Sequence, residues 1–258
     1  MKIKWNKLNI DIKYKKNVYS IDTSCGFDLS IKNDFSVHTP TFFNADHPTI
    51  KPFNSKGFVG DIDKGGSCNV PIATVNIHCT GTHTESAAHI TSSGKKVEEM
   101  CPIGFISASL ISIEPIRSIT TNDSYHAELN NDMVISRRQI EDKLHQSSDA
   151  LIVRTIPNDR TKRTRNYDLY TAPFFTSDAV DYIKEINIKH LLVDIPSIDK
   201  SDDGGLLGNH KLFFQTGRTI SELLYIPNSI PDGFGFLQIQ IPNWRLDAAP
   251  SRPIFYPV

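Results

Sequence analysis

Five short runs rich in aliphatic and β-branched residues mark the chain: Ala73–Ile77 (ATVNI), Ala108–Ile113 (ASLISI), Ala150–Arg154 (ALIVR), His190–Asp194 (HLLVD) and Phe236–Ile241 (FLQIQI). Each is bounded by turn-forming residues, which predicts strands. Two stretches between them have helix-start chemistry. Ser136–His145 (SRRQIEDKLH) opens on a serine cap, and Thr176–Ile186 (TSDAVDYIKEI) opens on Thr176 or Ser177 with Asp178 in its first turn, where a negative charge favours the helix dipole. Residues 136–199 therefore alternate helix and strand, an α/β signature. At the N-terminus Trp5, Leu8, Ile10, Ile12 and Tyr14 alternate loosely with polar residues, as an edge strand would. This predicts a peripheral arm over residues 1–20 and one compact domain over 21–258. Residues 36–67 are dense in Pro, Asn, Asp and Gly; long loops of that kind tend to be functional.

Composition narrows the class. The 258 residues are 39% hydrophobic, with 28 Lys plus Arg against 29 Asp plus Glu, a formal net charge of −1. Such balance offers no field to attract nucleic acid or an anionic membrane. No apolar run approaches the roughly 18–20 residues that span a bilayer, and the Lys-rich N-terminus lacks the apolar core of a secretory signal. The four cysteines, Cys25, Cys68, Cys79 and Cys101, show no CxxC spacing, which fits reduced thiols in a cytoplasmic protein. A small-molecule partner is the expectation, with no nucleic acid and no membrane.

The chemistry concentrates in Val75-Asn-Ile-His-Cys-Thr-Gly-Thr-His-Thr-Glu-Ser-Ala-Ala-His89. Cys79, His83, Glu85 and His89 share parity, so an extended backbone would project them from one face and turn His78 away. Gly81 between them has no side chain to obstruct an ion, and it could host a bulge that re-aims its neighbours. Imidazole, thiolate and carboxylate converging on one point make a transition-metal site. The alternatives are a surface strand that merely carries polar residues, or thiol chemistry with Cys79 as nucleophile and His83 or His89 as base. No GxSxG elbow, phosphate-binding loop, GxGxxG or HExxH helix is present.

Gly81-Thr-His-Thr-Glu-Ser-Ala-Ala-His89 resembles the H-x-G-T-H-x-D-x-P-x-H signature of the metal-dependent cyclase family, which includes bacterial kynurenine formamidases (arylformamidases) and isatin hydrolase. Leu192-Val-Asp-Ile-Pro-Ser-Ile-Asp199 resembles a strand end of that family. Gly205-Leu-Leu-Gly-Asn-His210 with Ile220-Ser-Glu222 resembles its later His and Glu pair, and Ala150–Thr155 resembles the strand before its substrate-side loop. The resemblance runs from about Phe27 to the C-terminus. It implies a compact α/β domain with a mixed sheet or barrel-like core flanked by helices, and a homodimer or homotetramer. It also implies one or two divalent ions, zinc or manganese, held by His83, Glu85, His210 and Glu222, with Cys79 as a further ligand and His89 as catalytic acid/base.

Three departures accompany it: Cys79 stands where the signature has its first His, Glu85 where it has Asp, and Ala87 where it has Pro. A thiolate at Cys79 would favour zinc over manganese, and the longer Glu85 would alter a bridge between two ions. The implied activity is hydrolysis of a non-peptide amide C–N bond by metal-activated water; the competing class is a binding protein on the same scaffold without turnover. If Cys79 is instead a small buried hydrophobe, a bulge at Gly81 would rotate His78 inward. Asp194 and Asp199 are read as holding backbone geometry, and Arg160, Lys162, Arg163 and Arg165 as a solvated basic loop. Phe42, Phe43 and Phe53 could wall a pocket or pack in a core or interface. His38, His47, His126, His145 and His190 carry no assignment.

Overall fold

The computed structural model describes residues 8–215 and 217–258. Its frame is a nine-stranded mixed sheet. In chain order the strands are β1 (Phe27–Asp28), β2 (His83–Glu85), β3 (Ile106–Ile113), β4 (Ala150–Thr155), β5 (His190–Val193), β6 (Thr219–Glu222), β7 (Gly233–Gln240), β8 (Ala248–Pro250) and β9 (Arg252–Pro257). They lie side by side in the order β8-β2-β6-β5-β4-β3-β7-β9-β1. The central β3, β4, β5 and β6 run parallel, and antiparallel strands extend the sheet on both sides.

Burial on both faces explains the apolar runs. All six residues of β4 are buried, as expected for a parallel strand covered on each side. On one side Leu151 and Val153 join Ile111, Leu191, Val193 and Ile220 beneath the helices α2 (Arg137–Lys143), α3 (Ser177–Glu185) and α4 (Gly208–Phe214). On the other, Ala150 and Ile152 pack with Leu110, Leu192, Leu237 and Phe255. A short α1 (Val97–Met100) precedes β3. Ser136 and Thr176 cap α2 and α3 from Gln139 N and Ala179 N, as the sequence predicts. The α/β expectation, with a mixed sheet flanked by helices, is met.

Two expectations change. Ala73–Ile77 is not a strand of the main sheet: Pro71–Thr74 pairs with Thr49–Pro52 in an outlying hairpin, and the backbone then turns, with Thr80 N bonded to Asn76 O at 3.2 Å. Lys162 is not solvated. It is 4% exposed, and its ammonium donates to Asp194 Oδ2 at 2.8 Å and to Thr155 O and Oγ1 at 2.8 and 2.7 Å. Asp194 also accepts from Thr155 N at 3.0 Å, so it does hold backbone geometry, at the ends of β4 and β5. Arg160 and Arg163 remain exposed, and Arg165 lies 4.0 Å over the Tyr170 ring.

The N-terminal segment forms a hairpin, Asn9–Tyr14 with Asn17–Asp22. Ile10, Ile12, Tyr14, Tyr19 and Ile21 pack against Phe234, Phe236 and Tyr256; Trp5 lies outside the described residues. No helix among the described residues is long and apolar enough to cross a membrane.

Lys162→Met should destabilise the protein by about 3–5 kcal/mol, because removing one partner leaves the other charge buried alone. Urea denaturation measures it, and a loss under 1 kcal/mol would mean that Asp194 gains solvent on unpairing.

Candidate metal centre

The site starts from strand register. His83 and Glu85 lie two apart on β2 and so project to one face. On the neighbouring β6, Glu222 is paired directly opposite His83, which puts its carboxylate on that same face. Three potential ligands are thus placed by backbone pairing alone. A fourth, His210, enters from α4, and its Nε2 comes within 2.9 Å of Glu85 Oε1 and 3.6 Å of Glu222 Oε1. His83 Nε2 lies 3.7 Å from Glu222 Oε2. His83, Glu85, His210 and Glu222 are each at most 4% exposed.

Hydrogen bonds outside this group aim the imidazoles inward. His83 Nδ1 lies 3.0 Å from the Gly81 carbonyl, which assigns the ring proton to Nδ1 and leaves Nε2 facing the centre. His210 Nδ1 lies 2.7 Å from Asp199 Oδ2, again leaving Nε2 inward. Asp199 also accepts from the backbone N–H groups of Asn209 and His210 and from the Tyr125 hydroxyl, so it does shape backbone and also orients a site residue, the arrangement usual behind metal-ligating histidines. Gly208, just before, is required by close approach: a Cβ there would overlap the ring of His126.

Cys79 and His78 occupy places opposite to those predicted by parity. The parity argument assumes extended backbone, whereas Asn76–Thr80 is a turn. Cys79 points away into an apolar cluster with Phe42, Tyr167, Ala172 and Leu223, and burial, with Asp168 and Glu222 nearby, pushes its thiol up to about 11. It is a buried thiol, and among the described residues it joins none of the groups whose ligand atoms converge. His78 swings into the site instead, with Nδ1 3.1 Å from Glu85 Oε2. His89 sits at the rim, its Nε2 3.7 Å from the same oxygen. Asp247, a residue with no motif around it, lies between them: its Oδ2 is 2.9 Å from His78 Nε2 and 3.4 Å from His89 Nδ1. Phe42 is buried beside Cys79, while Phe43 and Phe53 are exposed. His190 is buried against Thr219 and His126 approaches Asp203 at 3.1 Å.

Electrostatics at this centre suit a divalent cation. Two carboxylates, Glu85 and Glu222, are buried together, and an isolated buried charge is costly. Burial and the Glu85 charge push Glu222 up to about 8. Burial opposes ionisation of Glu85 too, but His210 and His78 beside it hold its carboxyl well below the usual range. Burial and the His78 charge press His83 down to about 4, so it is neutral. His83 Nε2 and both Glu85 oxygens are buried without a partner in hydrogen-bonding geometry. Such donor atoms, aimed at shared points and left unsatisfied, fit a divalent ion. They form two groups joined at Glu85: His78, His83 and Glu85, and Glu85, His210 and Glu222, each with its ligand atoms within 4.8 Å of one another.

Residues 27–200 match the family model described as "Putative cyclase". A kynurenine formamidase of Bacillus mycoides is 24% identical over 196 residues, covering 76% of this chain and 84% of that protein. Among solved structures, the fold is similar to a predicted metal-dependent hydrolase from Bacillus stearothermophilus (TM-score 0.62, 19% identity, 90% of this chain and 97% of that one). It is also similar to isatin hydrolase A from Ralstonia solanacearum (TM-score 0.66, 15% identity, 90% and 92%).

Iodoacetamide at neutral pH should alkylate the exposed Cys25 and Cys68 in the native protein and spare Cys79 and Cys101 until unfolding, because only an accessible thiolate reacts. Peptide mass spectrometry reads the sites; fast native modification of Cys79 would contradict its placement.

Proposed function

The chain belongs to the putative cyclase family, and from that premise we propose that it is a metal-dependent hydrolase cleaving a non-peptide amide C–N bond. One observation supports this reading above the others: His78, His83, Glu85, His210 and Glu222 converge in a largely buried cluster that leaves three of their donor atoms unsatisfied. The kynurenine formamidase and isatin hydrolase likenesses supply the bond class. Three imidazoles and two carboxylates suit zinc, our proposed metal, and accept manganese as well. The sulfur bias expected from Cys79 falls away with its displacement.

A divalent ion in this pocket would supply Lewis acidity, polarising an amide carbonyl and lowering the pKa of water. The protein residues do the rest. Gly81 and Asp199 hold the Nδ1–H of His83 and His210 outward, so Nε2 of each faces the centre. His83 is neutral, and His210, held positive by the carboxylates around it, would release its Nε2 proton on ligating. The only partly exposed members of the constellation are His78, His89 and Asp247, with side-chain exposures of 26%, 26% and 36%. Substrate would therefore approach across the rim that His78, His89 and Asp247 form. Burial holds the His89 imidazole below its ordinary range against the pull of Glu85, so it is neutral and able to accept a proton. In the proposed reaction, water adds to the carbonyl carbon and His89 Nε2 takes its proton. The C–N bond breaks as that proton passes to the leaving nitrogen, giving an amine and a carboxylic acid, which releases its proton to solvent as the carboxylate.

Zinc competition against a chromophoric chelator should show Glu85→Gln and His78→Ala binding far more weakly than wild type, with Cys79→Ser close to wild type. Equal weakening by Cys79→Ser would return the sulfur to the ligand set. With an N-formyl aromatic amine panel as substrates, chelation should abolish turnover and zinc restore it.

His89→Ala should keep its metal, measured by mass spectrometry, and lose about 10²–10⁴-fold in kcat. A loss below tenfold would remove His89 from proton transfer.

A further inference from the structure

We propose that Asp247 is a positioning residue that orients His78 for metal ligation and His89 for proton transfer through a single carboxylate oxygen. The proposal rests on the metal-dependent hydrolase reading above and adds a residue that lies outside the segment matched by the family model, residues 27–200.

The geometry is a bracket of two imidazoles between two oxygens. At the rim, Asp247 Oδ2 faces His78 Nε2 at 2.9 Å and His89 Nδ1 at 3.4 Å. At the inner end, Glu85 Oε2 faces His78 Nδ1 at 3.1 Å and His89 Nε2 at 3.7 Å. Between them the rings stack, centroids 4.2 Å apart and planes within 28°. A neutral imidazole has one N–H and one lone pair. Both carboxylates accept only, so His78 between them donates to each in the absence of an ion. With a cation on the Glu85 side, the rim carboxylate keeps each N–H and turns each lone pair inward. For His78 that makes Nδ1 the ligating atom. For His89 it makes Nε2 the proton acceptor, the atom the reaction needs. Because the same oxygen serves both rings, ligand and base are held in one fixed relation.

Backbone places this carboxylate. The Asp247 carbonyl accepts from Ser86 N at 3.0 Å and Ser86 Oγ at 3.1 Å. The next residue, Ala248, begins β8 and pairs with Glu85 itself. The rim oxygen is thus anchored one residue from the strand partner of the inner one. A surface ion pair that only neutralised His78 would need neither the shared oxygen nor the stacked second ring.

Asp247→Asn keeps both carbonyl contacts and is expected to fold. Its side chain can present N–H as well as oxygen to the rings, so the tautomer preference should be lost; Asp247→Glu should recover part of it. Long-range ¹⁵N–¹H NMR on the metal-free chain at pH 8 should show His89 protonated at Nδ1 in wild type and as a mixture of tautomers in Asp247→Asn. Zinc affinity by chelator competition should fall about 10–100-fold, and kcat should fall at least about tenfold with KM little changed. A wild-type tautomer together with wild-type zinc affinity in Asp247→Asn would overturn the proposal. If wild type itself bound no zinc, the hydrolase reading would fail instead, and the His89 tautomer in the metal-free pair of proteins would still decide whether Asp247 orients that ring.

Discussion

Two glutamates, Glu85 and Glu222, are buried within reach of one histidine, and the rest of the site follows from that constraint. Their carboxylates meet because β2 and β6 pair in an antiparallel register that sets Glu222 opposite His83 and Ile220 opposite Glu85. His210 and His78 hold Glu85 ionised, while burial and the Glu85 charge push Glu222 up, and neither Glu85 oxygen has a partner in hydrogen-bonding geometry. In low dielectric the two carboxylates can be ionised together only beside a cation. The parallel core of β3 to β6, buried on both faces, supplies the rigid support that such a cluster requires.

Around that pair the elements divide the work. Strands set the carboxylates and His83, the start of α4 brings His210, and Asp199 in the loop after β5 fixes its ring. Turn and loop segments carry His78, His89 and Asp247, the groups with access to solvent. The buried part therefore has candidate ligand atoms without access, and the rim has access and two imidazoles, one of them the proposed acid/base. A hydrolase needs both, and in this fold they meet at Glu85 Oε2, which faces His78 and His89 together.

Much of the fold was legible because its signals are local. ALIVR reads as a strand since every position is buried, and the Ser136 and Thr176 caps read as helix starts since the capping bond spans three residues. His83, Glu85, His210 and Glu222 were legible through motif resemblance, although nothing in their spacing reveals that Glu222 faces His83; that depends on sheet register between distant segments. Lys162 was misread because a basic run looks solvated, and its partner Asp194 lies 32 residues away. Asp247 had no signal at all. Its role comes from the pairing of Ala248 with Glu85, which no pattern around residue 247 encodes.

The exchange of Cys79 for His78 shows which parts of such a motif can drift. A residue on a paired strand cannot move by one position without crossing to the other face of the sheet, so His83 and Glu85 are bound to their spacing. A turn has no such alternation. The Asn76–Thr80 turn can direct position 78 inward and position 79 into the apolar cluster around Tyr167 and Leu223, and the imidazole lost from one place reappears from the next. The candidate donor set is then nitrogen and oxygen, although the sequence carries a cysteine where the resembling signature has histidine. Spacing is a trustworthy guide to a ligand where hydrogen-bonded strands hold it; where a turn holds it, the side chain's packing partners decide.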